Sequence, residues 1–277
     1  MENNKIIKHR IMTVDLENDL RSDKSISVDI ALPKLLNFFD DNKIKATFFT
    51  VTKLWRNYET ELKELSKKHE LASHSHTHTV LNQWNAEFEI KTSMQKMKEY
   101  GVKCTGFRAP RFIPAADYFS YLKKHGYTYD SSLATYFPGR YEHLDLPQKP
   151  FLNKGLIEFP IPTLLHPSIN AGLSYLKLMH PVSKLFTPRY LFYMHPWELL
   201  EKKHLPTSSN DKNSLIPTLL KRNSGRKAWE ILENYLLKEE SQWMSCKKWL
   251  EINRVEVNRV ERNGIKKEVN SNEKLHL

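Results

Sequence analysis

The chain has 277 residues, 40% hydrophobic and 27% charged, and a formal net charge of +11. That length suits one large α/β unit of roughly 200–250 residues plus a short extension, and the composition is that of a soluble globular protein, which excludes a fibrous or disordered chain. No apolar run reaches the ~18 residues of a membrane span, and MENNKIIKHR carries charges with no apolar core behind them, so the sequence reads as cytoplasmic, without a secretory leader, and able to work at the inner membrane face.

Lys5–Val14 alternates, turns apolar and runs into an acidic cluster, which predicts a first strand ending in a polar loop. From Ser27 to Asn42 the apolar residues Ile30, Leu32, Leu35, Leu36 and Phe39 recur at helical spacing. Lys45–Val51 (KATFFTV) is β-branched and aromatic, a buried strand. Glu61–His69 reads as helix and Glu70–Ser73 as a short strand. Glu87–Tyr100 is a helix stopped by Gly101, Cys104–Arg108 a strand, and Tyr118–His125 a helix stopped by Gly126. Strands alternating with helices over short connections imply a parallel sheet, open or closed into a barrel. In such sheets chemistry gathers at the C-terminal strand ends, and Asp15, His74 and Arg108 all fall just after predicted strands.

The second half is cut by prolines into short pieces, with strand candidates at Leu156–Ile161 and Tyr190–Met194. Leu205–Ser214 reads as a surface loop and Arg226–Leu237 as an amphipathic helix. Beyond about Asn253 the sequence is polar and repetitive, a weakly ordered tail. Cys104 and Cys246 form no CxxC pair, so two reduced, partly buried thiols are expected, and no thiolate zinc site.

Four segments carry candidate chemistry. Ser73-His74-Ser75-His76-Thr77-His78 places three histidines in five residues. If it forms a helical turn, His74 and His78 share a face at i and i+4 and can chelate one ion, while His76 points away. Asp15-Leu16-Glu17-Asn18-Asp19 follows the first strand, and a carboxylate from it completes a two-His, one-carboxylate site with a position open to water. Arg108, in Phe107-Arg108-Ala109-Pro110-Arg111-Phe112, is suited to orient Asp15 and keep it ionised. His195, in Tyr193-Met194-His195-Pro196-Trp197-Glu198, stands at a strand end among aromatics, as a general acid would.

These segments, in this order, resemble the polysaccharide deacetylase family, the NodB-homology fold of carbohydrate esterase family 4, over roughly Ile6–Trp249. The carriers are VDLEND for the acidic motif, His74-Ser75-His76-Thr77-His78 for H-S/T-x-x-H, Arg108-Ala109-Pro110-Arg111-Phe112 for the arginine motif, and Met194-His195 for the last. Here Leu16 separates acids that are adjacent in many members, and no Trp follows Asp130 nearby. The resemblance implies a distorted, incomplete (β/α)7-type barrel, with residues 1–252 as the catalytic domain and 253–277 as its tail. It implies Asp15 as general base, positioned by Arg108, and His195 as general acid, tuned by Asp130. The metal ligands it implies are His74, His78 and Glu17, with Asp19 as the rival carboxylate. The ion expected is Zn, with Co, Ni or Fe also suited to such a donor set. The oxyanion would rest on the metal and on a backbone N–H near Arg111.

The expected activity is hydrolysis of a non-peptide amide C–N bond, removing acetyl from an amino sugar, polysaccharide or glycan precursor. Two alternatives stand beside it: a hydrolase of a linear or cyclic non-sugar amide, and a catalytically silent module binding anions or lipid headgroups. A glycosidase working with two carboxylates leaves the histidine triplet without a role. Residues 176–227 hold ten Lys or Arg against three acids. That basic region suggests a phosphate- or lipid-linked substrate and peripheral membrane contact. No recognition motif for nucleic acid accompanies the charge.

Overall fold

The computed structural model describes residues 8–135, 146–165, 169–205 and 215–253. The expected tail over 253–277 and the expected surface loop Leu205–Ser214 lie outside them except for Asn253 and Leu205. The strands are β1 (Lys8–Leu16), β2 (Ala46–Thr50), β3 (Glu70–Ser73), β4 (Gly106–Phe107), β5 (Tyr129–Asp130), β6 (Phe151–Asn153), β7 (Leu156–Glu158), β8 (Thr163–Leu165), β9 (Ile169–Asn170), β10 (Leu191–Met194) and β11 (Ser241–Met244). The helices are α1 (Ile26–Asp41), α2 (Trp55–Lys68), α3 (Ala86–Glu99), α4 (Tyr118–Lys124), α5 (Leu173–Leu178), α6 (Leu215–Leu220), α7 (Arg226–Leu236) and α8 (Cys246–Ile252).

The main sheet runs β10-β1-β2-β3-β4-β5-β7-β6, and β11 also pairs with β1. All its pairings are parallel except β6 against β7. The sheet curls into the incomplete (β/α) barrel that the sequence implied: β6 forms one edge and β10 the other, with no pairing between them. Helices cover its outer face, as parallel crossovers require.

The two-residue period of a strand sorts side chains onto the two faces. From β1, Met12, Val14 and Leu16 pack outward into the layer between sheet and helices, with Val28, Leu32, Leu35 and Phe39 of α1. Ile11 joins the inner core of Phe49, Tyr129, Phe159, Leu191 and Tyr193. Its inward neighbours at i+2 and i+4 are Thr13 and Asp15, and the same parity carries Glu17 inward just past the strand end. On β10, Leu191 and Tyr193 are inner while Phe192 and Met194 are outer, so His195 faces in as well.

Sequence expectation and structure agree closely for α1, β2, β3, α3, α4 and α7. Gly101 and Gly126, at φ 77° and 84°, take the left-handed conformation that ends α3 and α4. Helix α2 starts six residues earlier than expected, because the wholly buried Trp55 anchors its first turn. The expected strand Leu156–Ile161 shrinks to β7, with Ile161 left in an isolated bridge to Ala134. Both cysteines are free and buried. No described helix is long and apolar enough to cross a membrane.

Candidate metal and catalytic centre

Glu17, His74 and His78 converge at the C-terminal ends of β1 and β3, their ligand atoms all within 4.8 Å of one another. His74 Nε2 is 3.8 Å from Glu17 Oε2, and His78 Nε2 touches the same oxygen. The segment 74–78 is not the helical turn that the i, i+4 argument supposed. Ser75 and His78 have φ of 67° and 65°, and the loop folds back so that the two imidazole rings lie 4.9 Å apart. Glu89 on α3 pins this loop, with Oε2 accepting from His76 N and Thr77 N at 2.9 and 2.8 Å. His76 points away to Thr52 Oγ1, at 2.9 Å.

For two of the three candidate ligands, His74 and Glu17, the surroundings favour one protonation state. His74 Nδ1 can only donate to the Arg108 carbonyl oxygen 2.8 Å away, which turns the Nε2 lone pair toward Glu17 and His78. Burial holds the His74 imidazole neutral, with its pKa down at about 4 despite the nearby Asp15. Burial works to raise the pKa of Glu17, yet His78, His195 and His74 together bring it to about 2. Asp19, the rival carboxylate, is engaged elsewhere: its Oδ1 accepts from Ser27 N at 3.2 Å, capping the start of α1. Two imidazole nitrogens and one carboxylate oxygen within 4.8 Å of one another are a donor set that suits a divalent ion such as zinc. His78 Nε2 is buried and, though against Glu17, makes no hydrogen bond of ordinary geometry, as suits a nitrogen aimed at a ligand.

Asp15 and Arg108 form a buried ion pair, with Nη1 to Oδ1 at 2.5 Å. Arg108 also donates to Thr13 Oγ1 (3.1 Å), the Ser131 carbonyl (3.1 Å) and Ser131 Oγ (2.8 Å), and it lies 4.0 Å above the Phe49 ring. The guanidinium fixes Asp15 Oδ1 and leaves Oδ2 facing His195 Nε2, 3.8 Å away. His195 Nε2 is also 3.7 Å from Glu17 Oε1. The ring is 17% exposed, His78 26% and Glu17 11%, so the cluster is reachable from solvent without being immersed in it. Arg111 and Phe112, where the oxyanion donor was expected, both have positive φ (56° and 54°), the kind of backbone strain that gathers at functional sites.

Asp130 does not stand beside His195. Tyr129 faces the inner core, so Asp130, one residue on, faces the helix layer. There it accepts from Tyr118 Oη at 2.7 Å and Ser132 Oγ at 2.6 Å. Its register partner is Glu158, and burial raises the pKa of both carboxyls. The carboxylate against His195 is Glu198, a residue the sequence reading quoted but gave no role. Its Oε2 lies 3.3 Å from His195 Nδ1 and accepts from His195 N at 2.8 Å, closing a capping box on the turn Pro196–Leu199. The signal was in His-Pro-Trp-Glu: a proline that starts a helical turn and an acid at its third position. Burial lowers the His195 pKa, but the Glu198 hydrogen bond and the charges of Glu17, Glu198 and Asp15 outweigh it and raise it to about 9.

Comparison with known proteins agrees with the resemblance seen in the motifs. Residues 25–129 match the family model described as polysaccharide deacetylase. That segment holds His74, His78 and Arg108; Asp15, Glu17 and His195 lie outside it and join the site through the fold. No curated protein sequence matches the chain. Among solved structures, a candidate polysaccharide deacetylase from Mycobacterium smegmatis superposes with a TM-score of 0.58 at 15% identity, over 92% of this chain and 93% of that one. A family 4 acetyl xylan esterase from Clostridium thermocellum, in complex with a cobalt ion, gives 0.45 at 12% identity, over 89% and 92%. A family 4 pseudoenzyme from Bacillus anthracis gives 0.45 at 14% identity, over 88% and 65%. The first of these establishes the fold.

Proposed function

We propose that this chain, which carries the polysaccharide deacetylase homology region over residues 25–129, is a metal-dependent hydrolase of a non-peptide amide C–N bond that removes an acyl group, in the first instance acetyl, from an amino sugar or glycan precursor. The observation that carries the reading is the convergence on one inward face of a base (Asp15), a donor set (Glu17, His74, His78) and an acid (His195), within 4 Å of one another in the pairs Asp15–His195, Glu17–His195 and Glu17–His74. A silent binding module has no need of all of them.

Glu17, His74 and His78 would hold a divalent ion, zinc by preference, which when bound would supply Lewis acidity to an acyl carbonyl and to water. Asp15 accepts the proton of the attacking water on Oδ2, since Arg108 occupies Oδ1. His195 donates from Nε2 to the departing amine, which would otherwise leave as a costly anion. Glu198 holds the opposite ring nitrogen, so the proton given up is the one on Nε2. Acid–base assistance of this kind is worth about 10²–10⁴-fold.

A glycan substrate finds support in Trp84 and Phe88, 85% and 60% exposed, just after the ligand loop, with Phe88 6.3 Å from the His76 ring. Exposed aromatic faces of this kind mark binding surfaces. The phosphate- or lipid-linked substrate and the membrane contact remain proposals resting on charge. Lys177 lies in the interior, and Lys227 pairs with Glu230 at 2.5 Å, so the basic region presents less free charge than its sequence suggests.

The test is metal analysis and deacylation side by side. Wild-type protein should hold about one equivalent of a divalent metal and release acetate from N-acetylglucosamine oligomers. The His74→Ala/His78→Ala variant should do neither. Turnover of simple or cyclic amides but of no sugar would shift the assignment to the non-sugar hydrolase. A wild type that binds no metal after zinc or cobalt is added would sink the hydrolase reading.

A further inference from the structure

Glu198, which holds His195, is itself held. Its Oε1 accepts from Ser174 Oγ at 2.5 Å and lies 3.9 Å from Lys177 Nζ. Ser174 and Lys177 are three residues apart on α5, hence on one helix face. Lys177 and Glu198 are both wholly buried. Lys177 Nζ also donates to the Leu220 carbonyl at 3.0 Å and stands 5.4 Å over the Trp197 ring. Trp197 in turn stacks on His195, with centroids 5.3 Å apart and planes at 30°. The lysine therefore meets both groups that mount the histidine.

A buried cation is costly unless paired, and a buried ion pair is seldom better for stability than apolar residues of the same shape. This one has a placement that packing alone does not require. Burial brings the Lys177 pKa down to about 8, against the opposing pull of Glu198, so the ammonium is still mostly charged at neutral pH. Burial also works to raise the Glu198 pKa, and the hydrogen bond from His195 and the Lys177 charge bring it below its ordinary value.

We propose that Lys177 and Ser174 are positioning residues for His195. They fix Glu198 as an ionised acceptor on Nδ1, so that Nε2 is presented to Asp15 and Glu17. The inference rests on the acid role given to His195 above and deepens it. It places the acid's support on α5, outside the strand ends that carry the rest of the site.

The test uses the full chain with Lys177→Met and Ser174→Ala, each alone and in a His195→Ala background. Deacetylation of an N-acetylglucosamine oligomer gives kcat and KM. Long-range 1H–15N spectra of the metal-free protein follow the His195 ring nitrogens. Lys177→Met should lower kcat 10- to 100-fold, with KM changed less than threefold, and should have no further effect when His195 is already alanine. It should also shift the His195 Nδ1 resonance. Ser174→Ala should do the same to a smaller degree, and it carries the test if Lys177→Met fails to fold. A folded Lys177→Met protein with kcat within twofold of wild type would overturn the proposal, as would an equal kcat loss in the His195→Ala background. If the wild type deacylates no sugar, the sugar-deacetylase reading falls while the spectra still decide the positioning: unmoved His195 signals refute it, moved signals uphold it.

Discussion

Arg108→Met puts the Asp15–Arg108 pair to a quantitative test. Both side chains are buried, with 0% and 2% exposure, so solvent cannot replace the guanidinium. Methionine keeps the volume against Phe49 and Phe112 but removes the charge and four donated hydrogen bonds, to Asp15, Thr13 and twice to Ser131. Removing one partner of a buried ion pair costs about 3–5 kcal/mol, a fifth or more of the roughly 5–15 kcal/mol that holds most domains folded. At about 2–4 °C per kcal/mol for a chain near this size, the thermal midpoint should fall by roughly 6–20 °C. Calorimetry of the metal-free protein at pH 7 gives the number. Adding Asp15→Asn removes the stranded charge, so the double variant should be more stable than the two single losses predict, by more than about 1 kcal/mol. A midpoint shift under 3 °C, or strictly additive losses, would show that Asp15 is not dependent on Arg108.

Zinc should raise the wild-type midpoint, with about 2.7 kcal/mol of stabilisation at a hundredfold excess of free ion over Kd. It should leave the His74→Ala/His78→Ala variant unmoved, so equal shifts in the two would place the ion elsewhere. His195→Ala should lower kcat by 10²–10⁴-fold with little change in KM, whereas Asp130→Asn, on the opposite face of the sheet, should stay within about fivefold of wild-type kcat; steady-state rates on one substrate separate the two. Burial lowers the His69 pKa from 6.5 to about 4, with its ring packed against Phe39 and Phe48. Its contribution to stability is therefore complete above pH 6.5 and is lost as pH falls through 4. That loss is about 3 kcal/mol at 1.36 kcal/mol per pKa unit. Urea melts between pH 7 and 4 should show a flatter profile for His69→Phe, and parallel profiles would refute the assignment.

The parts of the fold legible in the sequence are those where one period runs long enough to be read. Helix α1 and strand β2 bury one stripe or both faces over several residues, and their bounds follow. Strands β4, β5 and β9 are two residues each. No period exists over two residues, and only neighbouring strands define them. Most site residues were legible because they follow strands. How they meet was less so. His74 and His78 meet through left-handed turns at Ser75 and His78, which no helical spacing describes. Asp130 was placed by motif order, but pleat parity sends it outward, and the buried aromatic Tyr129 beside it was the available hint. Glu198 depends on a single helical turn starting at Pro196, and Lys177 on a helix 18 residues before His195, so neither connection has a local signature.

The neighbour relation between β1 and β10 has a consequence in time. Val14 pairs with Met194, which sets Asp15 and His195 side by side although 180 positions of chain separate them. Glu17, His74 and His78 all lie within the first 78 residues. A ribosome adds about 5–20 residues per second, so these three emerge roughly 10 s before His195 is made. On the function proposed above, the order of synthesis would offer an ion all three candidate ligands before the candidate acid is made. On that reading, until β10 docks along β1 the chain would have its candidate base and metal donors with no group to protonate a leaving amine.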